Sequence, residues 1–385
     1  MLRSPTEPIR VCLVAPSLAI VGGQSVQADR LLRRLRSIPG LSVTFVPHNP
    51  RLPGVLTWLQ RVKYLRTLLT EATYLVLLVT TIRRHDVVHV FSASYFSFLL
   101  APAPALVIAR LFRKPIVLNY HSGEAEDHLL RWRRTSHPIV RLADRVIVPS
   151  RYLVDVFRKF GFRAHAIPNF VDAEQFARRD RRRLRPAFLM NRHLEPHYNI
   201  ACGLRAFGRI QREIPSARLV VAGDGSCRTE LERLSARLGL QNVEFPGRVA
   251  PQSMAHLYAN ADIFLNSSST DNQPLSILEA FAAGLAVVTT RAGGIGELVA
   301  HEETGMLVEL DDDASLASAA LRLLHDHALA CRMIERARTY CEEHYGWPAV
   351  AGAWLAVYAE LSGRGGRDDP FRARSKGAKL VTTAS

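Results

Sequence analysis

Two carboxylates with seven residues between them, Asp271 and Glu279, occur in the segment SSSTDNQPLSILEAFAAGLAVVTTRAGGIGE. Pro274 can open a helix between them, which leaves Asp271 just ahead of the helix and Glu279 on its second turn. A carboxylate accepts hydrogen bonds at both oxygens, so such a pair can hold vicinal hydroxyls of a sugar or a ribose while amides of the helix N-terminus face phosphate. An aspartate ahead of a helix also serves as an ordinary cap. Two glycine turns offer further anion contacts. Gly22 and Gly23 lie between the first apolar strand and the first helix, and Gly223 and Gly225 follow a strand in LVVAGDGS. Neither turn completes the GxGxxG fingerprint, so a nicotinamide or flavin cofactor is not indicated, and either can be a turn that needs glycine dihedrals. Asp311, Asp312 and Asp313 resemble a metal-binding acidic run, but they fall between the strand GMLVEL and an Ala/Leu-rich helix, where capping accounts for them.

These residues depend on the elements that carry them. From residue 10, the short apolar runs RVCLVAP, SVTFVP, DVVHVFS, PIVLNYH, DRVIVPS and RAHAIPN alternate with helical spacing, the rhythm of βαβ units and a parallel sheet. In the first helix Ala28, Leu31, Leu32 and Leu35 form the core face, and Arg30, Arg33, Arg34 and Arg36 are expected on the solvated one. Residues 170–186, FVDAEQFARRDRRRLRP, read as a polar interdomain linker. A second series follows with strands PAFLMNR, RLVVAGDG, NVEFPGRV, DIFLNSS, AVVTTRA and GMLVEL, and helices near 198–214, 227–238, 251–260, 274–283 and 314–345. The expected fold is α/β, two doubly wound domains in tandem: 1–170, 171–346, a last helix at 347–361, and a disordered basic tail at 362–385.

Composition bounds the function. The 385 residues, 48% hydrophobic and 22% charged, describe a globular chain rather than a disordered or collagen-like one. A formal charge of +15 favours anionic partners. Only Lys63, Lys114, Lys159, Lys376 and Lys379 are lysines, so the positive charge is almost all guanidinium. The arginines are dispersed over helix faces with no recognised nucleic-acid module, which argues against nucleic acid. Five cysteines without a CxxC pair, and an N-terminal apolar run too short for a secretory signal, point to the cytoplasm, and the sequon Asn266-Ser267-Ser268 is then an accident of composition. Residues 87–109 carry no charge but contain His89, Pro102 and Pro104, and read as a buried strand followed by a helix. Residues 55–84 combine Trp58, many leucines and a basic first half, which suits either a core helix or the surface of an anionic membrane.

The carboxylate segment resembles the EGFGLxxxEAMAxGxPVV motif of the retaining GT-B glycosyltransferases of family four. Other strings fall in the same order: GGQSVQADRLLRRL, NYHSGE, ADRVIVPS, IPNFVDAEQF, LMNRHLEPHYNIACGLRAF, LVVAGDG, NVEFPGRV and AGGIGELVAHEETGMLVE. The resemblance spans residues 10–361 and implies a GT-B fold, two Rossmann-like domains facing a cleft, the first for the acceptor and the second for a sugar nucleotide, with the last helix returning to the first domain. It assigns Glu279 to the nucleotide ribose, Asp271 to the transferred sugar, Arg192 to the diphosphate and His121 to the sugar. It also puts Gly22, Gly23, His197, Gly223, Gly225, Arg248, Asn272, Gln273 and Leu275 around the donor. It implies no cofactor and no metal, and an acceptor that is a glycan, a lipid-linked molecule or a small molecule, with the enzyme cytoplasmic or peripheral on the inner face of a membrane.

Two segments depart from the family pattern, 271–274 and 197–199. Asp271 is shorter than glutamate by about 1.5 Å, and Asn272-Gln273-Pro274 replaces GFG, with no amide hydrogen at Pro274. The lysine that follows the clamp arginine is replaced by His197, then Tyr198 and Asn199. An imidazole is only partly protonated near neutral pH, so either His197 or an arginine such as Arg248 or Arg291 supplies the second charge. The resemblance also admits a sugar-nucleotide epimerase, a phosphorylase or a non-catalytic anion-binding scaffold.

Overall fold

The computed structural model describes residues 7–17, 22–50, 63–92, 94–176, 179, 181 and 183–364, the side chains of 63–66 excepted. The chain divides into two compact units, Met1–Pro168 together with Pro348–Ser385, and Asn169–Trp347.

The first unit is built on β1 (Ile9–Ala15), α1 (Gly23–Arg36), β2 (Leu41–Pro47), α2 (Lys63–Ile82), β3 (Val87–Phe91), α3 (Tyr95–Leu100), α4 (Pro102–Leu111), β4 (Ile116–Asn119), α5 (Ala125–Arg131), α6 (Arg133–Val140), β5 (Arg145–Val148), α7 (Arg151–Lys159) and β6 (His165–Ala166). All six strands run parallel in the order β2-β1-β3-β4-β5-β6. Every residue of β3 and β4 is buried, as expected of parallel strands covered on both faces. In α1 the expected core residues are buried, and so, against expectation, is Arg30 at 4% exposure.

The second unit contains β7 (Ala187–Asn191), α8 (Ile200–Glu213), β8 (Arg218–Ala222), α9 (Arg228–Arg237), β9 (Val243–Gly247), α10 (Pro251–Asn260), β10 (Ile263–Asn266), α11 (Leu275–Ala282), β11 (Ala286–Thr290), α12 (Ile295–Leu298), β12 (Met306–Val308), α13 (Asp313–His325) and α14 (His327–Tyr345). Its parallel sheet has the order β12-β11-β10-β7-β8-β9. The stretch read as one helix over 314–345 is two, because the Asp326 side chain accepts from Leu329 N at 2.9 Å and restarts the helix. α15 (Trp347–Leu361) then delivers Trp354 and Tyr358 into the first unit, where the Tyr358 hydroxyl meets His89 Nδ1 at 2.8 Å.

The arginine-rich stretch read as a polar interdomain linker is fastened to the second unit. Asp262 is fully buried and accepts from Arg179, Arg181 and Arg185, and Arg181 also donates to the Ala283, Ala261 and Tyr258 carbonyls. A guanidinium has five donors, enough to neutralise one buried carboxylate and cap the ends of α10 and α11 together. Charge density alone therefore misled: these arginines have specific acceptors. Of the tail expected at 362–385, residues 365–385 lie outside the described residues, as does the first part of 55–84, residues 55–62. Among the described residues no helix is long and apolar enough to cross a membrane.

Candidate functional site

In an open parallel sheet, ligands bind beyond the carboxyl ends of the strands where the strand order reverses. In the second unit that point lies between β7 and β10. Arg192 is the first residue after β7 and Asn266 the last of β10. Arg192 Nε donates to Asn266 Oδ1 at 3.0 Å, a terminal guanidinium nitrogen donates to Asp271, and the Tyr198 ring lies 5.0 Å from the guanidinium carbon. Both charged side chains are nearly enclosed, Arg192 at 10% and Asp271 at 13% exposure, so each depends on the other. Asn266 is held in turn: its Nδ2 donates to Thr289 Oγ1 at 2.9 Å, and its Oδ1 also accepts from Ser268 Oγ at 2.9 Å. That network fixes the amide so that its oxygen faces the arginine.

Glu279 lies on α11, 7% exposed, as the proline-initiated helix requires. Its Oε2 accepts from the Tyr258 hydroxyl at 3.0 Å, and Asn191 Nδ2 donates to the same hydroxyl at 3.2 Å. The loop after Arg192 is hung on the loop before α11: the His197 carbonyl accepts from Ser269 N at 2.9 Å, and the His197 ring lies 4.1 Å from that of Tyr198. Glu195 ties the same loop to the turn before α9 by accepting from Ser226 N at 2.9 Å and Ser226 Oγ at 2.5 Å, which holds its carboxyl below the usual range.

Glycine is needed at Gly223, where φ is +138° and a Cβ would fall 1.9 Å from the Arg192 carbonyl oxygen. At Gly225 a Cβ would fall 2.5 Å from the Leu194 oxygen. Both residues therefore let the β8 turn close against the loop that carries Arg192. Gln273 is occupied with the start of this unit: its Oε1 accepts from Asn169 N at 2.6 Å and its carbonyl from Asn169 Nδ2 at 3.0 Å. Asn272 and Leu275 are buried, and Asn272 N donates to Asp271 Oδ1 at 2.8 Å. Arg248 stands 3.8 Å from Asp224 and Arg291 3.7 Å from Glu309, each more than half exposed. Asp312 caps α13 through Ser315 N at 2.8 Å, Asp311 accepts from Arg205 at 3.0 Å, and Asp313 accepts from Arg209 at 2.5 Å. Among the described residues no group of three His, Cys, Asp or Glu side chains converges to hold a metal ion.

In the first unit the switch point lies between β1 and β3. Gly22 is extended at φ −177°, a conformation any residue adopts, so a dihedral requirement does not explain it. Its amide donates to Ser25 Oγ at 3.0 Å, and Gly23 opens α1. His121 follows β4 and stacks on Phe91 (5.0 Å, 10°). Phe91 stacks on His89 (5.3 Å), and His89 on Trp354 of α15 (4.8 Å). His121 Nε2 is buried without a hydrogen-bond partner among the described residues, and burial lowers the imidazole pKa to about 3. At neutral pH the ring is therefore uncharged.

The structure brings Arg192, Asp271 and the loop of His197 together at one switch point, with Glu279 tied through Tyr258 to Asn191. Sequence reasoning missed Asn266, Tyr258 and Asn191. The polar run after a fully buried strand was the available signal for Asn266; for Tyr258, inside an otherwise ordinary helix, there was none.

Two parallel six-stranded sheets with flanking helices define a two-domain, Rossmann-like GT-B protein. Residues 172–340 match the family described as glycosyl transferases group 1, and residues 21–175 match Glycosyltransferase Family 4. The chain belongs to the group 1 glycosyltransferases, and is an enzyme. It is 30% identical to a glycogen synthase of Mycobacterium tuberculosis over 74% of this chain and 71% of that protein. It is 27% identical to a GDP-mannose-dependent alpha-mannosyltransferase of the same species over 92% and 98%. Among solved structures, Anabaena HepE in complex with UDP-glucose superimposes with a TM-score of 0.68 at 18% identity, covering 92% of this chain and 98% of that one.

Proposed function

We propose that this nucleotide-sugar glycosyltransferase binds its donor at the β7/β10 switch point, with Arg192 on the diphosphate, Glu279 on the ribose hydroxyls and Asp271 on the transferred sugar. The observation that carries the reading is the meeting of Arg192 and Asp271. They come from loops after different strands, converge where a doubly wound sheet binds ligands, and are chemically matched to the two ends of an activated saccharide. The names of the relatives, which include UDP-glucose and GDP-mannose proteins, support a nucleoside diphosphate sugar.

The proposed reaction retains configuration at the anomeric carbon. The bond from that carbon to the diphosphate breaks, the acceptor oxygen bonds on the same face, and the acceptor proton passes to the departing diphosphate. Arg192, held by Asn266, stabilises the charge that develops on the diphosphate. Catalysis by these groups needs no metal, and the Asp311–Asp313 run is committed to capping and to Arg205 and Arg209. The acceptor is a hydroxyl of a glycan, a lipid-linked molecule or a small molecule. Leu68, Leu75, Val76 and Val79 of α2 are exposed, which supports peripheral docking on a membrane surface.

The test is a panel of UDP-, GDP- and ADP-sugars read by thermal shift and nucleotide release, run on wild type, Glu279→Gln and Arg192→Gln. One donor should stabilise and turn over wild type, and both variants should lose that response. If all three proteins respond alike to every donor, the site assignment is wrong. An inverted anomeric signal in the product by NMR would refute retention.

A further inference from the structure

Tyr258 is fully buried on α10, its ring edge-on to Phe176 (5.5 Å) and stacked near Phe264 (6.2 Å). The aromatic contacts fix where its oxygen stands, at a junction of three elements. Asn191 Nδ2, at the end of β7, donates to that oxygen at 3.2 Å. Within its reach on the other side are the Ser276 carbonyl at 3.1 Å and Glu279 Oε2 at 3.0 Å, both on α11. The hydroxyl has one proton to give, and the charged acceptor makes the stronger bond. Burial, with the Glu279 charge beside it, raises the phenol pKa well above its ordinary value, so the group remains a donor at any physiological pH.

Asn191 is bonded to Arg192 in the chain, so one hydroxyl joins the strand end that carries the diphosphate guanidinium to the carboxylate assigned to the ribose. A glutamate side chain has three torsions to immobilise before it can receive two hydroxyls at fixed spacing, and that ordering opposes binding unless it is already done. We propose that Tyr258 is a positioning residue that presets Glu279, and thereby sets the preference of the donor site for ribose over deoxyribose. This rests on the assignment of Glu279 to the ribose.

The experiment compares UDP, GDP and ADP with their 2′,3′-dideoxy counterparts by calorimetric titration of wild type, Tyr258→Phe, Glu279→Gln and the double variant. Phenylalanine keeps the ring packing and removes only the hydroxyl. For the nucleotide that wild type binds best, Tyr258→Phe should raise the ribo-form Kd about tenfold, equivalent to ~1.4 kcal/mol, and leave the dideoxy Kd within about twofold. The double variant should be no weaker than Glu279→Gln alone, because the two groups act as one unit. Equal weakening of ribo and dideoxy forms would show a merely structural tyrosine, and no change in either would show that Glu279 needs no support. Both results overturn the proposal. If wild type itself fails to distinguish ribo from dideoxy forms and Glu279→Gln changes nothing, the ribose assignment falls first and takes the Tyr258 proposal with it.

Discussion

Acidification should unfold the first unit through its histidines. His48, His89, His121 and His128 are held by burial at pKa values of about 4, 3, 3 and 4, and His85, His137 and His165 are lowered as well. All seven belong to the first unit. Each binds a proton near pH 6.5 once the chain unfolds but resists it while folded, so the unfolded state gains protons as pH falls. The stability these groups contribute is complete above pH 6.5 and is lost progressively as pH drops toward the folded values. At pH 5 each of the first four costs about 2 kcal/mol, a sizeable part of a typical domain stability of roughly 5–15 kcal/mol. Hydrogen exchange by mass spectrometry between pH 7 and 4.5 should show β3, β4 and α15 losing protection between pH 6 and 5. The emission of Trp354, which stacks on His89, should change over the same range. Replacing His89 by phenylalanine, which cannot charge, should move the transition to lower pH. Full protection of β3 and β4 at pH 4.5, or a transition in His89→Phe at the wild-type pH, would refute this reasoning.

Arg192→Lys should cut kcat/KM for the preferred donor by about 100-fold, because an ammonium cannot bond Asn266, Asp271 and phosphate in one plane; near-wild-type turnover would place the diphosphate elsewhere. Gly223→Ala should destabilise the second unit by about 2 kcal/mol or more in urea unfolding and weaken nucleotide binding with it, since its Cβ meets the Arg192 carbonyl. Asp312→Ala should lower stability by about 1 kcal/mol through loss of the α13 cap while leaving kcat unchanged with or without EDTA; a loss of turnover restored by added divalent cation would indicate a metal role for the aspartate run.

Local periodicity made the two sheets legible, because parallel strands buried on both faces read as apolar runs at regular spacing. The carboxylates were legible because Pro274 marks the start of their helix. What stayed hidden depends on contacts between distant positions: Arg192 finds Asn266 and Asp271 across 74 and 79 residues, and no local pattern encodes that pairing. The linker misreading has the same origin. Arg181 looks solvated in a run of arginines, yet its acceptors are supplied 77 to 102 residues later by Tyr258, Ala261, Asp262 and Ala283. In the sequence Asn266 reads only as part of an accidental sequon, whereas its role comes from the guanidinium that reaches it.

The return of α15 makes the first unit discontinuous, and this bears on its synthesis. While the ribosome is still reading the second unit, His89 has neither Trp354 nor Tyr358 to cover it, and the strand that holds it is left with an uncovered aromatic surface. The half of the protein translated first is therefore the half completed last, and chains stalled before codon 348 should be the ones that chaperones retain.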